Sequence, residues 1–213
     1  MRISIFGLGY VGAVCAGCLS ARGHDVVGVD VSQAKIDLIN QGKSPIVEPG
    51  LAELLDAGVR SGLLRGTTDV SAAVLASELS FIAVGTPSKR NGDLDLGYME
   101  SVCQQIGAAL RDKHERHTVV VRSTVLPGTV KNVVIPLLES ASGKRAGVDF
   151  GVATNPEFLR ESTAIKDYDF PAMTVIGELD EQSGDLLQEL YSELDAPIIR
   201  KSIEVAEMIK YTC

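Results

Sequence analysis

Gly7, Gly9 and Gly12 stand at G-x-G-x-x-G spacing near the amino terminus, and Asp30 follows 18 positions after Gly12. These residue types at these intervals suit one kind of chemistry. Gly7 permits a sharp exit from a strand, Gly9 lets a pyrophosphate approach bare backbone, and Gly12 lets a helix pack closely on a sheet. A helix beginning near Tyr10 would point free N–H groups and its positive dipole end at phosphates. The Asp30 carboxylate suits a ribose 2′-hydroxyl and repels a 2′-phosphate, which favours NAD over NADP.

The flanking residues supply the elements that such a turn needs. Ile3 to Phe6 is a short apolar run, Val11, Val14, Cys15, Cys18 and Leu19 recur at helical spacing, and Asp25 to Val29 is a second apolar run ending at Asp30. Strand, turn, helix, strand and acid together describe a βαβ dinucleotide-binding unit. The competing reading is a βαβ unit whose glycines only tighten a turn. The agreement of all five parts favours the ligand.

Other candidates lie where later strands end. Leu79–Val84 stops at Gly85-Thr86-Pro87, Thr118–Arg122 stops at Ser123-Thr124, and Asp149–Thr154 runs into Asn155–Glu161. Ligands of doubly wound sheets bind at the carboxyl ends of strands, so Thr86, Thr124 and Glu157 face the expected cleft. If Asn155–Glu161 is helical, Glu157 and Glu161 share a face. A carboxylate there could act as a general base or hold a water, or it could simply be a solvated acid at a helix start. Lys210, among Met208, Ile209 and Tyr211, could stabilise an oxyanion, although pattern alone favours a snorkelling surface lysine. Cys15 and Cys18 form C-x-x-C inside the first helix with no second such pair, so they read as apolar packers and not as a redox or metal site. His114 and His117 read as solvated loop residues.

The rest of the chain alternates strands with helices. Helices are expected over Val31–Asn40 from Ser32, Leu51–Arg60, Ser71–Ala76 capped by Asp69 or Ser71, Asp95–Asp112, Pro127 to about Ser140, and Asp180–Leu194. Strands are expected at Leu63–Thr68 and Met173–Gly177, with a short extended piece at Pro197–Ile199. The fold class is therefore α/β, a doubly wound, mostly parallel sheet of Rossmann type. A last helix opens at Ser202 and meets no stop signal before Cys213, which reads as the start of a connecting helix. The expected division is residues 1–201 for the nucleotide domain and 202–213 for that helix, leading to a second domain. A net charge of −8 without a basic stripe argues against nucleic acid and membrane surfaces. No apolar run reaches about 18 residues and no leader precedes the first strand, so a cytoplasmic location is expected.

Several motifs occur in a telling order: GLGYVG at Gly7–Gly12, VGVD ending at Asp30, EPGL at Glu48–Leu51, VGTP at Val84–Pro87, RST at Arg122–Thr124 and NPEFLRE at Asn155–Glu161. Together they resemble the nucleotide-diphospho-sugar 6-dehydrogenases, the family of UDP-glucose and GDP-mannose dehydrogenases. NPEFLRE is the most specific, and the likeness runs from Met1 to Lys210. The resemblance implies oxidation of a sugar C6 alcohol to a carboxylate with two NAD in succession, with GDP-mannose as substrate and UDP-glucose as the alternative, in the making of uronic acids for exopolysaccharides such as alginate. It implies that Tyr10, Val11, Asp30, Lys35, Thr86 and Thr124 line the NAD site. Glu157 would be the base or water-orienting carboxylate, helped by Thr124. Leu159, Arg160 and Glu161 would contact the sugar nucleotide, and Lys210 would stabilise charge on the C6 oxygen. The family's nucleophilic cysteine lies in a Gly-Gly-Ser-Cys-like motif of a later domain, and this sequence contains no such motif. The implied partners are therefore the C-terminal remainder of the enzyme and a second copy in a dimer or higher homo-oligomer. The rival of another class is a non-catalytic NAD-binding module.

Overall fold

The computed structural model describes residues 1–213. Strands β1 (Arg2–Phe6), β2 (Asp25–Val29), β3 (Leu64–Thr67), β4 (Leu79–Ile82), β5 (Thr118–Val121), β6 (Gly151–Thr154), β7 (Thr174–Glu178) and β8 (Ile198–Ser202) build one sheet in the order β3-β2-β1-β4-β5-β6-β7-β8. Helices α1 (Tyr10–Ala21), α2 (Gln33–Asn40), α3 (Leu51–Arg60), α4 (Val70–Ala76), α5 (Gly97–Arg111), α6 (Ile135–Ser142), α7 (Ala164–Asp169), α8 (Glu181–Leu190) and α9 (Ile203–Thr212) connect and cover them.

The strands are short runs rich in Val and Ile because both faces of the sheet are covered. Their side chains divide by alternation. Ile3, Ile5, Val26, Phe81 and Val120 face one core with α1 and α3 residues such as Cys15, Leu19 and Leu55, and Cys15 and Cys18 are buried packers as expected. Phe6, Val27, Ile82, Val119 and Val121 face a second core with α5 and α6 residues such as Ile106 and Leu138.

The first six strands are mutually parallel, and β7 runs antiparallel to β6 while β8 is parallel to β7. The reversal has a local cause. The connection Asn155–Met173 stays at the carboxyl end of β6, where it forms a loop and α7, so the chain re-enters the sheet from that end. The extended piece expected at Pro197–Ile199 is the longer strand β8.

The structure corrects two expectations. His117 is not solvated: it is 1% exposed, with Nε2 2.7 Å from Ser80 Oγ and Nδ1 3.1 Å from the Ser77 carbonyl. Burial, reinforced by the Lys113 charge, lowers its pKa to about 3, so it is a neutral structural residue. The helix expected from Pro127 is present but starts at Thr129, so Pro127 lies just before it. Gly128 takes a left-handed conformation (φ +89°), Val130–Val134 winds as a π-type turn, and α6 begins after it with Pro136 in its first turn. The buried Glu207 of α9 accepts from the amides of Gly128 (2.6 Å) and Val130 (2.8 Å), so this segment is capped from outside.

Candidate active site

The glycine turn joins β1 to α1. Gly7 has φ +96°, and a Cβ there would lie 2.8 Å from the Ala83 carbonyl oxygen. A Cβ on Gly12 would fall 1.8 Å from the Gly7 carbonyl oxygen, so the helix can sit this close only with glycine. A Cβ on Gly9, by contrast, would meet nothing within 4 Å. The turn is thus closed on its sheet side and open on the side a ligand would use.

Asp30 ends β2 beside this turn. Its side chain is 8% exposed; Oδ2 accepts from the Leu8 amide (2.8 Å) and the Lys35 ammonium (3.1 Å), and Oδ1 accepts from the Ser32 amide (2.9 Å). Burial alone would push the carboxyl up; the Ser32 and Leu8 amides and Lys35 outweigh it and hold the carboxyl below the usual range. A carboxylate has about four acceptor positions, so this ionised group keeps one for a hydroxyl. Gly7, Gly9, Asp30 and Lys35 line one cleft of about 400 Å³, continued by Val84, Gly85 and Tyr98. Tyr10 and Val11 occupy the first turn of α1, half-buried, and the Tyr10 hydroxyl donates to Glu48 Oε2.

The ends of β4 and β5 are stitched together. The Thr86 hydroxyl donates to the Thr124 carbonyl (2.7 Å), and the Ser123 hydroxyl donates to the Val84 carbonyl (2.6 Å). Thr86 and Thr124 therefore stand side by side at the carboxyl edge.

The segment after β6 is not helical, so Glu157 and Glu161 do not share a helix face. Instead Glu157 folds back on its own loop: Oε2 accepts from the Leu159 amide at 2.7 Å, and Oε1 accepts from Lys210 Nζ at 2.9 Å. Lys210 also donates to the Glu157 carbonyl and lies over the Phe158 ring, with 21% of its side chain exposed. It is therefore not a solvated surface lysine. Glu161 is exposed. The Arg160 guanidinium turns to Asp167, with Nη2 2.7 Å from Oδ1 and Nε 3.1 Å from Oδ2, which holds the Asp167 carboxyl well below its ordinary value.

Glu157, Leu159 and Arg160 line a second cleft of about 410 Å³, whose floor contains Arg122. Arg122 is 6% exposed and donates to Cys15 Sγ (3.1 Å), Tyr191 Oη (3.2 Å) and Asn155 Oδ1. Asn155 in turn donates to the Val175 carbonyl at 2.8 Å. Arg122 thereby anchors the start of the Glu157 loop, a role that sequence reasoning missed. Its one signal is a cation ending the apolar run Thr118–Val121.

Residues 1–195 match the UDP-glucose/GDP-mannose dehydrogenase family, NAD binding domain. The chain belongs to the UDP-glucose/GDP-mannose dehydrogenase family. Among curated relatives of this family, it is 80% identical to the GDP-mannose 6-dehydrogenase of Pseudomonas aeruginosa, across 100% of the chain and 49% of the relative. It is 42% identical to a UDP-glucose 6-dehydrogenase of Haloferax volcanii, across 99% of the chain and 50% of the relative. Among solved structures, a ternary complex of GDP-mannose dehydrogenase from Pseudomonas aeruginosa superposes with a TM-score of 0.99 at 80% identity, covering 100% of this chain and 49% of that one. A UDP-glucose dehydrogenase from Pyrobaculum islandicum superposes with a TM-score of 0.94 at 41% identity, covering 99% and 48%. The chain spans about half the length of the curated relatives it matches. NAD is the coenzyme of this family's domain, and the open face of Gly9 beside the unfilled acceptor position of Asp30 fits it.

Proposed function

We propose that this chain is the coenzyme-binding half of an NAD-dependent nucleotide-sugar 6-dehydrogenase that converts GDP-mannose to GDP-mannuronate. The observation that carries the reading is the Glu157–Lys210 pair at the carboxyl edge of the sheet, in a chain 80% identical to a GDP-mannose 6-dehydrogenase. GDP-mannose is favoured over UDP-glucose because identity to the UDP-glucose enzyme of Haloferax volcanii falls to 42%.

In this reading bound NAD would supply the acceptor for a hydride from the sugar carbon. Its site consists of Gly7, Gly9, Tyr10, Val11, Gly12, Asp30, Lys35, Thr86 and Thr124. The glycine turn offers the pyrophosphate bare amides, and Asp30 accepts from a ribose hydroxyl. Glu157, an acceptor while ionised, takes the alcohol proton or holds the attacking water, which Thr124 helps to hold. Lys210 keeps an N–H for the developing charge on the C6 oxygen. The amides of Leu159 and Arg160 are held by Glu157 and Asp167, so these residues offer carbonyl acceptors, and Glu161 a carboxylate, to the sugar nucleotide. The two-step oxidation removes two hydrides and adds one water oxygen, so the C-terminal remainder must supply the group that holds the aldehyde. Residues 1–201 form the NAD domain, and 202–213 begin the connection to that remainder. Assembly as a dimer, a cytoplasmic location and a role in alginate-type exopolysaccharide synthesis belong to the same proposal.

The test is turnover of the full-length enzyme with GDP-mannose and UDP-glucose side by side. NADH should form at two equivalents per GDP-mannose and far more slowly with UDP-glucose. A preference for UDP-glucose, or no NADH with either, overturns the reading.

A further inference from the structure

The E-P-G-L stretch has no part in the chemistry described so far, yet its Glu48 is only 7% exposed. A carboxylate that far from water needs partners, and all of Glu48's are uncharged hydrogens. Oε1 accepts from the Ala164 amide at 2.9 Å. Oε2 accepts from the Ser162 amide at 2.8 Å and from the Tyr10 hydroxyl at 2.5 Å. The two amides lie 116 and 114 positions further along the chain, so these contacts serve a tertiary purpose.

The backbone they hold is unusual. Ser162 has φ +70° and is the one non-glycine residue with a positive φ. A serine persists there only where its surroundings over-determine it. Glu48 supplies that restraint from one side by binding the amides of Ser162 and Ala164. From the other side Asp167 accepts from the Arg160 amide at 2.9 Å and the Thr163 hydroxyl at 3.0 Å. The Tyr10 hydroxyl also reaches the Arg160 carbonyl at 3.3 Å. Tyr10 is the first residue of α1, directly after Gly9. One buried carboxylate therefore touches both the coenzyme turn and the loop carrying Leu159, Arg160 and Glu161.

We propose that Glu48 is the positioning residue of the nucleotide-sugar loop, clamping Arg160–Ala164 and tying that loop through Tyr10 to the coenzyme turn. The inference rests on the function proposed above. In Glu48→Gln the shape is kept, but the side-chain NH₂ cannot accept, so one oxygen's partners are lost.

The experiment is calorimetric titration of full-length enzyme with NAD, and with GDP-mannose at saturating NADH, which cannot accept a hydride and so permits no turnover, for wild type, Glu48→Gln and Tyr10→Phe. In Glu48→Gln the GDP-mannose Kd should rise about tenfold, the loss expected when hydrogen bonds to a charged group are removed, while the NAD Kd stays within about threefold. In Tyr10→Phe, which keeps both amide contacts, the GDP-mannose Kd should rise about threefold or more. A merely structural Glu48 would weaken both ligands together, in step with a lowered melting temperature, and that result overturns the inference. So does an unchanged GDP-mannose Kd in a folded Glu48→Gln. Should Glu48→Gln fail to fold, an unchanged GDP-mannose Kd in Tyr10→Phe overturns it alone. Wild-type enzyme that binds neither GDP-mannose nor UDP-glucose removes the proposed function as well. Wild-type binding with unaltered variants removes only the role of Glu48.

Discussion

The Lys210 ammonium lies 2.9 Å from the Glu157 carboxylate, across 53 positions of sequence. The pair closes the gap between the last helix and the loop after β6, and it does so at the edge where the parallel strands end. Neither residue is held by its own element alone. Lys210 is placed by α9, which Glu207 fastens to the Gly128–Val130 segment, and Glu157 is placed by a loop anchored through Asn155 on Arg122.

Glu157→Gln in the full-length enzyme should lower kcat about 10²- to 10⁴-fold, the range for loss of a general base, with little change in NAD affinity. Steady-state NADH formation and calorimetry on the same preparation measure the two quantities. Normal turnover would remove Glu157 from the mechanism.

Asp30→Ala should weaken NAD binding about ten- to a hundredfold, because a charge-assisted acceptor is lost. The change also frees the amides of Leu8 and Ser32, which Asp30 holds at 2.8 and 2.9 Å, so the turn itself loosens. Calorimetric titration with NAD decides the matter, and an unchanged dissociation constant would contradict it.

Gly12→Ala and Gly9→Ala should behave oppositely. The new methyl at residue 12 would sit 1.8 Å from a carbonyl oxygen, so stability should fall by about 3 kcal/mol or more, the upper end for overpacking. The methyl at residue 9 meets nothing within 4 Å, and Gly9 has an ordinary φ of −79°, so the fold should survive while NAD affinity drops. Urea denaturation and NAD titration together distinguish the outcomes. A stable Gly12→Ala would refute the packing argument.

His117 gives the fold a pH dependence of defined sign. Its pKa falls from 6.5 when unfolded to about 3 in the fold, so between these values the unfolded chain binds the extra proton. Stability therefore falls as pH drops below about 6.5, by up to about 1.4 kcal/mol per pH unit from this group. Other groups contribute to the total slope, so the readout is a difference. Urea unfolding of His117→Gln between about pH 4.5 and 6.5 should show a shallower dependence than wild type. Parallel slopes would show that His117 does not titrate on unfolding.

The coenzyme half was legible because its logic is local. Gly7, Gly9, Gly12 and Asp30 each do a job set by neighbours within one βαβ unit, and all four line or shape the cleft at the end of β1. What was illegible depends on distant partners. His117 looked solvated because Ser77 and Ser80, its partners, stand 40 and 37 positions away. Whether the Glu157–Glu161 stretch is helical was not legible, because nothing nearby reveals that Glu48, more than a hundred positions earlier, holds the following turn in another shape. Lys210 looked like a surface residue for the same reason: an apolar helix face does not announce the acid it will meet. The antiparallel turn of β7 was equally hidden, since it follows from the path of the loop and not from the strand's composition.

That reversed strand has a geometric consequence for the lysine. Because β7 and β8 run against the others, β8 ends at Ser202 on the rim opposite the clefts, and α9 must climb back across the sheet. Lys210 lies eight positions after Ser202, a climb of about 12 Å at the helical rise, close to the height of a five-residue strand. The ammonium is thus delivered by a ruler as well as by a partner. Adding a single residue to that ruler would swing the side chain about 100° around the axis and leave Glu157 facing the wrong side of the helix.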